Sequence, residues 1–150
     1  MEQKVGTKRA VLVSWLARVA VLVVFVGNLD CALRFLLFPE SYVAGFELSG
    51  TAGATAIQGL AVAFLMWNAT YPLVIVDPVR YRVLFAVVLA QQAIGLVGES
   101  LILSTLGDGH PLLGESIMRF IAFDAFGLVV MALSFVGLMA YRAYSNRPPV

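Results

Sequence analysis

One cysteine and one histidine in 150 residues leave little room for metal or thiol chemistry. A lone Cys31 excludes an intrachain disulfide and any multi-cysteine metal site, and His110, set between Gly109 and Pro111, reads as a loop residue rather than a ligand. The chain has no HExxH, no CxxC, no glycine motif that would cradle a phosphate and no cluster with metal-ligand spacing, so neither a metal nor a cofactor is expected. Charge is scarce as well: 13% of residues are Asp, Glu, Lys or Arg, where soluble domains carry about 25%. The basic residues form no aromatic-interleaved groove, which removes nucleic acid from the expected partners.

What fills the chain instead is apolar: 61% of it is hydrophobic and the mean hydropathy is +0.91. Four stretches reach the length of about 20 residues that a membrane-crossing helix needs. They run from Val19 to Phe38, Gly50 to Ala69, Val83 to Leu103 and Ile117 to Ala140. The connections, Pro39 to Ser49, Thr70 to Arg82 and Ser104 to Ser116, are too short to hold a soluble domain. The expected fold is all-α: a single domain over residues 1–150, an integral membrane antiparallel bundle of four transmembrane helices with the lipid bilayer as its first partner.

Basic residues set the expected orientation, because Lys and Arg near span ends stay on the cytoplasmic side. Lys4, Lys8, Arg9 and Arg18 precede the first span, Arg80 and Arg82 lie between the second and third, and Arg142 and Arg147 follow the fourth. The two opposite loops contain Glu40, Glu47, Asp108 and Glu115 and no Lys or Arg. Both termini are therefore expected in the cytoplasm, in a bacterial-type inner or plasma membrane. The first helix reads as uncleaved, since its apolar run outlasts a signal-peptide core and meets Asp30 directly before Cys31. Trp15, Trp67, Tyr71, Tyr81, Tyr141 and Tyr144 fall near the inner boundary and Tyr42 near the outer one, as amphipathic rings do. Pro72 is read as stopping the second helix after Trp67-Asn68-Ala69-Thr70, and Ser145 to Val150 as a short mobile tail.

Against this background the ionisable residues inside the spans stand out: Asp30, Arg34, Glu99, Arg119 and Asp124. Such groups are costly at depth unless paired or hydrated, which makes them the first candidates for a functional centre. Helix spacing places Asp30 and Arg34 on one face as an i, i+4 pair. Gln92, Gly95 and Glu99 form a stripe on the third span, its glycine allowing a neighbour to come close. Arg119 and Asp124 stand about 140° apart around the fourth helix, so they are not expected to share one narrow pocket. Asp124 shares its face with Ile117, Phe120, Gly127 and Met131, toward the bundle interior, and Arg119 shares its face with Glu115. The second span adds Gln58 and a row of small residues, Ala52, Ala56, Gly59 and Ala63, read as a helix-packing seam.

By depth, Asp30, Arg34, Gln58, Gln92, Glu99, Arg119 and Asp124 all fall in the outer half of the membrane, the candidate ligand-binding set. Three acids against two bases leave an uncompensated carboxylate, which must be protonated, hydrated or liganded.

The order of features resembles the small four-helix membrane proteins of the DoxX-like group. The likeness is carried by Phe38-Pro39 at the end of the first helix, Gly50-Thr51-Ala52-Gly53, the inner turn Asp77-Pro78-Val79-Arg80-Tyr81-Arg82, and Arg119-Phe120-Ile121-Ala122-Phe123-Asp124 on the last helix. It implies an antiparallel four-helix bundle and transfers no catalytic residue. Three functions remain open. One is a protein that binds or carries a small amphipathic or ionic ligand in an outer-half polar cavity. Another is a structural or accessory subunit that packs on a membrane-protein partner or in a homo-oligomer, its polar groups acting as buried glue. The third is an intramembrane isomerase-like or hydrolytic enzyme that uses two carboxylates as acid and base.

Overall fold

Pro39 ends the first helix by restricting the residue before it: Phe38 sits at φ −132° and ψ 49°, outside the helical region. In a computed structural model that describes residues 2–145, with backbone alone at residues 2–8 and 10, this helix, α1, spans Glu2–Leu37. Two short 3-10 turns, Pro39–Ser41 and Val43–Phe46, lead to α2, Gly50–Asn68. A two-residue step opens α3, Tyr71–Val76, and the chain continues through α4, Arg82–Thr105, and α5, Pro111–Ser145. The chain is all-helical in its described residues, and four segments are long and apolar enough to cross a membrane: Val11–Leu37, Gly50–Val76, Arg82–Thr105 and Pro111–Ser145. The side chains of Lys4 and Lys8, and Arg147 with the rest of the tail beyond Ser145, lie outside the described residues.

The third span agrees with its sequence bounds; the others run longer. The second changes most, because Pro72 opens α3 rather than ending the helix. Proline fits the first turn of a helix, where its missing N–H would have had no intrahelical partner. The following turn is ordered by Asp77, whose Oδ1 accepts the N–H groups of Val79 at 3.1 Å and Arg80 at 2.9 Å.

α1 packs against α2, α3 and α5, and α4 packs against α5 and α3, while α2 and α4 make no extended contact. Two apolar clusters result. One joins Val21 and Val24 of α1, Tyr71 and Val74 of α3, Phe85 and Val88 of α4, and Met131 and Leu138 of α5. The other centres on Phe35, Ile57 and Ala61 and is closed by Tyr42, Phe46, Phe64 and Phe120. Phe35 lies 4.7 Å from Tyr42, 5.7 Å from Phe46 and 6.2 Å from Phe120 between ring centroids, tilted or edge-on as aromatic quadrupoles favour.

The small-residue row on α2 does not form the expected seam. Ala52, Ala56, Gly59 and Ala63 are all exposed, and a Cβ built at Gly59 would meet nothing within 4 Å. α2 buries Gly53, Ala54, Ile57 and Ala61 instead. Small residues occur on both sides of this helix, and Ile57, the one large side chain among them that is fully buried, turns its own side inward.

Candidate functional site

Between the two clusters lies a cavity of about 300 Å³. Phe35, Tyr42, Phe46, Phe64, Trp67, Phe120 and Phe123 give it aromatic walls, and Asn28, Asn68, Tyr71, Gln91, Gln92, Glu99, Ser116, Arg119 and Asp124 give it polar ones. The α2 residues Phe64, Trp67 and Asn68 face the α4 residues Gln91, Gln92, Gly95 and Glu99 across it, so it occupies the gap that those helices leave open. Cys31 also lines it.

Its floor is a hydrogen-bonded relay across three helices. The Tyr71 hydroxyl donates to Gln92 Oε1 at 3.2 Å, and Gln92 Nε2 donates to Asp124 Oδ1 at 2.7 Å. Asn28 of α1 faces the same tyrosine hydroxyl. Two glycines make room for these groups: a Cβ at Gly95 would collide with Asp124 Oδ2, and one at Gly127 would press on Gln92 Nε2 at 3.0 Å and Val24 Cγ2 at 3.2 Å. Without side chains at those two positions, a long amide and a carboxylate cross between α4 and α5 where the helices pack closely.

Two cavity-lining residues each hold an oxygen with no such partner. Asn68, 5% exposed, donates its amide to the Phe64 carbonyl at 2.7 Å and leaves Oδ1 buried and unbonded. Glu99 is only half-buried as a residue, but its Oε2 is buried and unbonded. Buried polar atoms are partnered in the great majority of cases, so each exception calls for an explanation.

Of the seven sequence candidates, the fold brings Gln92, Glu99, Arg119 and Asp124 to this cavity and leaves Asp30, Arg34 and Gln58 outside its lining. Arg34 Nε bonds Asp30 Oδ2 at 2.8 Å on an exposed face, forming the expected pair. Gln58 donates to the Leu36 carbonyl at 3.2 Å and so ties α2 to the end of α1. Arg119 and Asp124 do line one cavity, against the helical-wheel expectation. The cavity is wide, and the long arginine stem reaches its rim while the head contacts Glu115 at 3.4 Å with 78% of the side chain exposed. The ion pairs thus account for Asp30, Arg34 and Arg119, and leave the two acids Glu99 and Asp124 facing the cavity.

Sequence reasoning missed Asn28, Asn68, Trp67, Tyr71 and the aromatic walls. Tyr71 is not an interfacial anchor: at 2% exposure it is core, with its hydroxyl on Gln92. Its signal was Pro72, which as a helix opener rather than a stop carries the polar run inward.

The segment 39–48 covers one end of the cavity with Tyr42 and Phe46 and is clasped to α5. Ser116 Oγ donates to the Gly45 carbonyl at 2.6 Å. Glu47 caps α5, accepting the N–H groups of Leu112 at 3.1 Å and Leu113 at 3.3 Å on Oε1, while Oε2 meets His110 Nδ1 at 2.6 Å. Glu47 holds a left-handed backbone, φ 54°, to do so. The His110 bond, with help from the two backbone donors, holds its carboxyl below the usual glutamate value of 4.5.

A depressed folded pKa contributes stability that is fully present above the unfolded value and is lost as pH falls through the folded one. The clasp is therefore expected to weaken on acidification below about pH 4.5. The thermal midpoint in detergent should fall there more steeply for the native chain than for Glu47→Gln, and parallel profiles would remove Glu47 from the acid response.

No protein-family model matches this chain, and neither a curated protein nor a solved structure does.

Proposed function

We propose that this chain is a multi-pass membrane protein, an antiparallel four-helix bundle of an inner or plasma membrane with both termini cytoplasmic, that binds or carries a small amphipathic ligand in the cavity between α2 and α4. The orientation reading is supported by Arg9 ahead of the first apolar segment, Arg80 and Arg82 at the turn into the third and Arg142 in the last turn of the fourth, while both opposite loops lack Lys and Arg. The ligand reading is carried by one observation: Asn68 and Glu99, which both line the cavity, each hold a side-chain oxygen, Oδ1 and Oε2, that is buried and unbonded. A bundle held only by polar glue would pair such atoms, since each costs about 1–3 kcal/mol unpartnered. At about 300 Å³ the cavity matches the small end of ligand pockets.

Cys31, the only thiol, is a built-in reporter because it lines the cavity. Alkylation of Cys31 by N-ethylmaleimide in nanodiscs is expected to be slowed, saturably, by some members of a panel of small aromatic amines, alcohols and carboxylates. If no member protects Cys31 and none raises the unfolding midpoint, the cavity is not a ligand site.

A further inference from the structure

The ligand class can be read from what the cavity leaves unsatisfied; this step rests on the reading that the cavity is a binding site. Two of its lining residues, Asn68 and Glu99, each hold an unpartnered oxygen, Oδ1 and Oε2, and both are acceptors. Asn68 is held with its oxygen free because its amide nitrogen is committed to the Phe64 carbonyl. Asp124 brings a second carboxylate to the same space, one oxygen taken by Gln92 and the other lying against Gly95. The cation at the rim, Arg119, is turned to Glu115.

An anionic ligand would lie against two acids with the nearest guanidinium engaged elsewhere. An acceptor-only ligand would leave both oxygens unpartnered. A protonated amine answers both conditions: it sets a positive charge against Glu99 and Asp124, and it brings N–H donors to a lining in which Asn68 and Glu99 each hold an unpartnered acceptor. The rings of Phe64, Trp67 and Phe123, which line the same cavity, offer apolar contact to the rest of the molecule. We infer that the cavity takes a small primary or secondary ammonium ion with an aromatic or aliphatic body. A quaternary ammonium keeps the charge but has no N–H, so it would leave both acceptors unpaired.

The test uses the full chain in nanodiscs at neutral pH, with binding read by calorimetry and by protection of Cys31. The probes are phenethylamine, phenethyl alcohol, phenylacetate and phenethyltrimethylammonium, which share one ring and differ at the head. Phenethylamine is expected to bind at least about tenfold more tightly than each of the others. Glu99→Gln should lower amine affinity by a similar factor and leave the alcohol unchanged. Because Glu99 Oε2 has no partner to lose, that variant should keep the native unfolding midpoint or exceed it. If the alcohol or phenylacetate binds as tightly as the amine, the ammonium assignment falls and the cavity remains a ligand site. Equal binding of the quaternary ion removes the N–H requirement and overturns the assignment. Equal loss of amine and alcohol in Glu99→Gln overturns it too, and if no probe binds, this inference and the binding-site reading fall together.

Discussion

Gln92→Leu is expected to destabilise the folded chain by about 2–4 kcal/mol, the largest loss from any single substitution in the relay. Gln92 is 4% exposed and carries both links, accepting from Tyr71 and donating to Asp124. Leucine has a similar volume, so the cost is not a void but the loss of both links: Asp124 Oδ1 loses its donor and the Tyr71 hydroxyl keeps only Asn28 beside it, each loss at about 1–3 kcal/mol. The lower part of the summed range applies because helices separated within a bilayer still find alternative partners for polar groups. Reversible unfolding in mixed micelles measures it. A double-mutant cycle with Asp124→Leu should be strongly non-additive, because the second substitution removes a group that the first has stranded. Additive losses would show that the Gln92–Asp124 bond contributes nothing as a pair.

The second large effect has the opposite sign. Glu99→Leu is expected to stabilise the chain by about 1–3 kcal/mol while abolishing ligand protection of Cys31. Replacing a buried, unpaired carboxylate oxygen with hydrocarbon removes a desolvation cost and breaks no hydrogen bond. Stability gained together with binding lost is the signature of a group retained for function. A structural role predicts the reverse, so a lowered unfolding midpoint for Glu99→Leu would place Glu99 among the groups that hold the bundle together.

These two expectations rest on different amounts of sequence information. The stripe Gln92, Gly95, Glu99 follows from helical spacing alone, and so does the place Gly95 leaves for a neighbour. That the neighbour is Asp124 does not, because it depends on how α5 is rotated against α4. Helical-wheel angles separate Arg119 from Asp124, yet both reach the cavity, because a wheel records Cα directions and not the reach of a long side chain across a wide gap. Asn68 and Tyr71 were hidden by an assumption about Pro72: read as a stop it places them at a boundary, and read as the opening of α3 it places them inside.

The sequence by itself determined the helical class, four segments able to cross a membrane, the Asp30–Arg34 pair and the presence of acids without local partners. All of these depend on hydropathy run length or on i to i+4 geometry within one helix. Only the tertiary structure decided that α2 and α4 stand apart, that Asn28, Tyr71, Gln92 and Asp124 meet across helices, and that Asn68 and Glu99 keep oxygens unbonded. Those facts depend on the relative rotation and spacing of helices, set by where Gly95, Gly127 and Ile57 allow or demand close packing. No periodicity within a single segment carries that information.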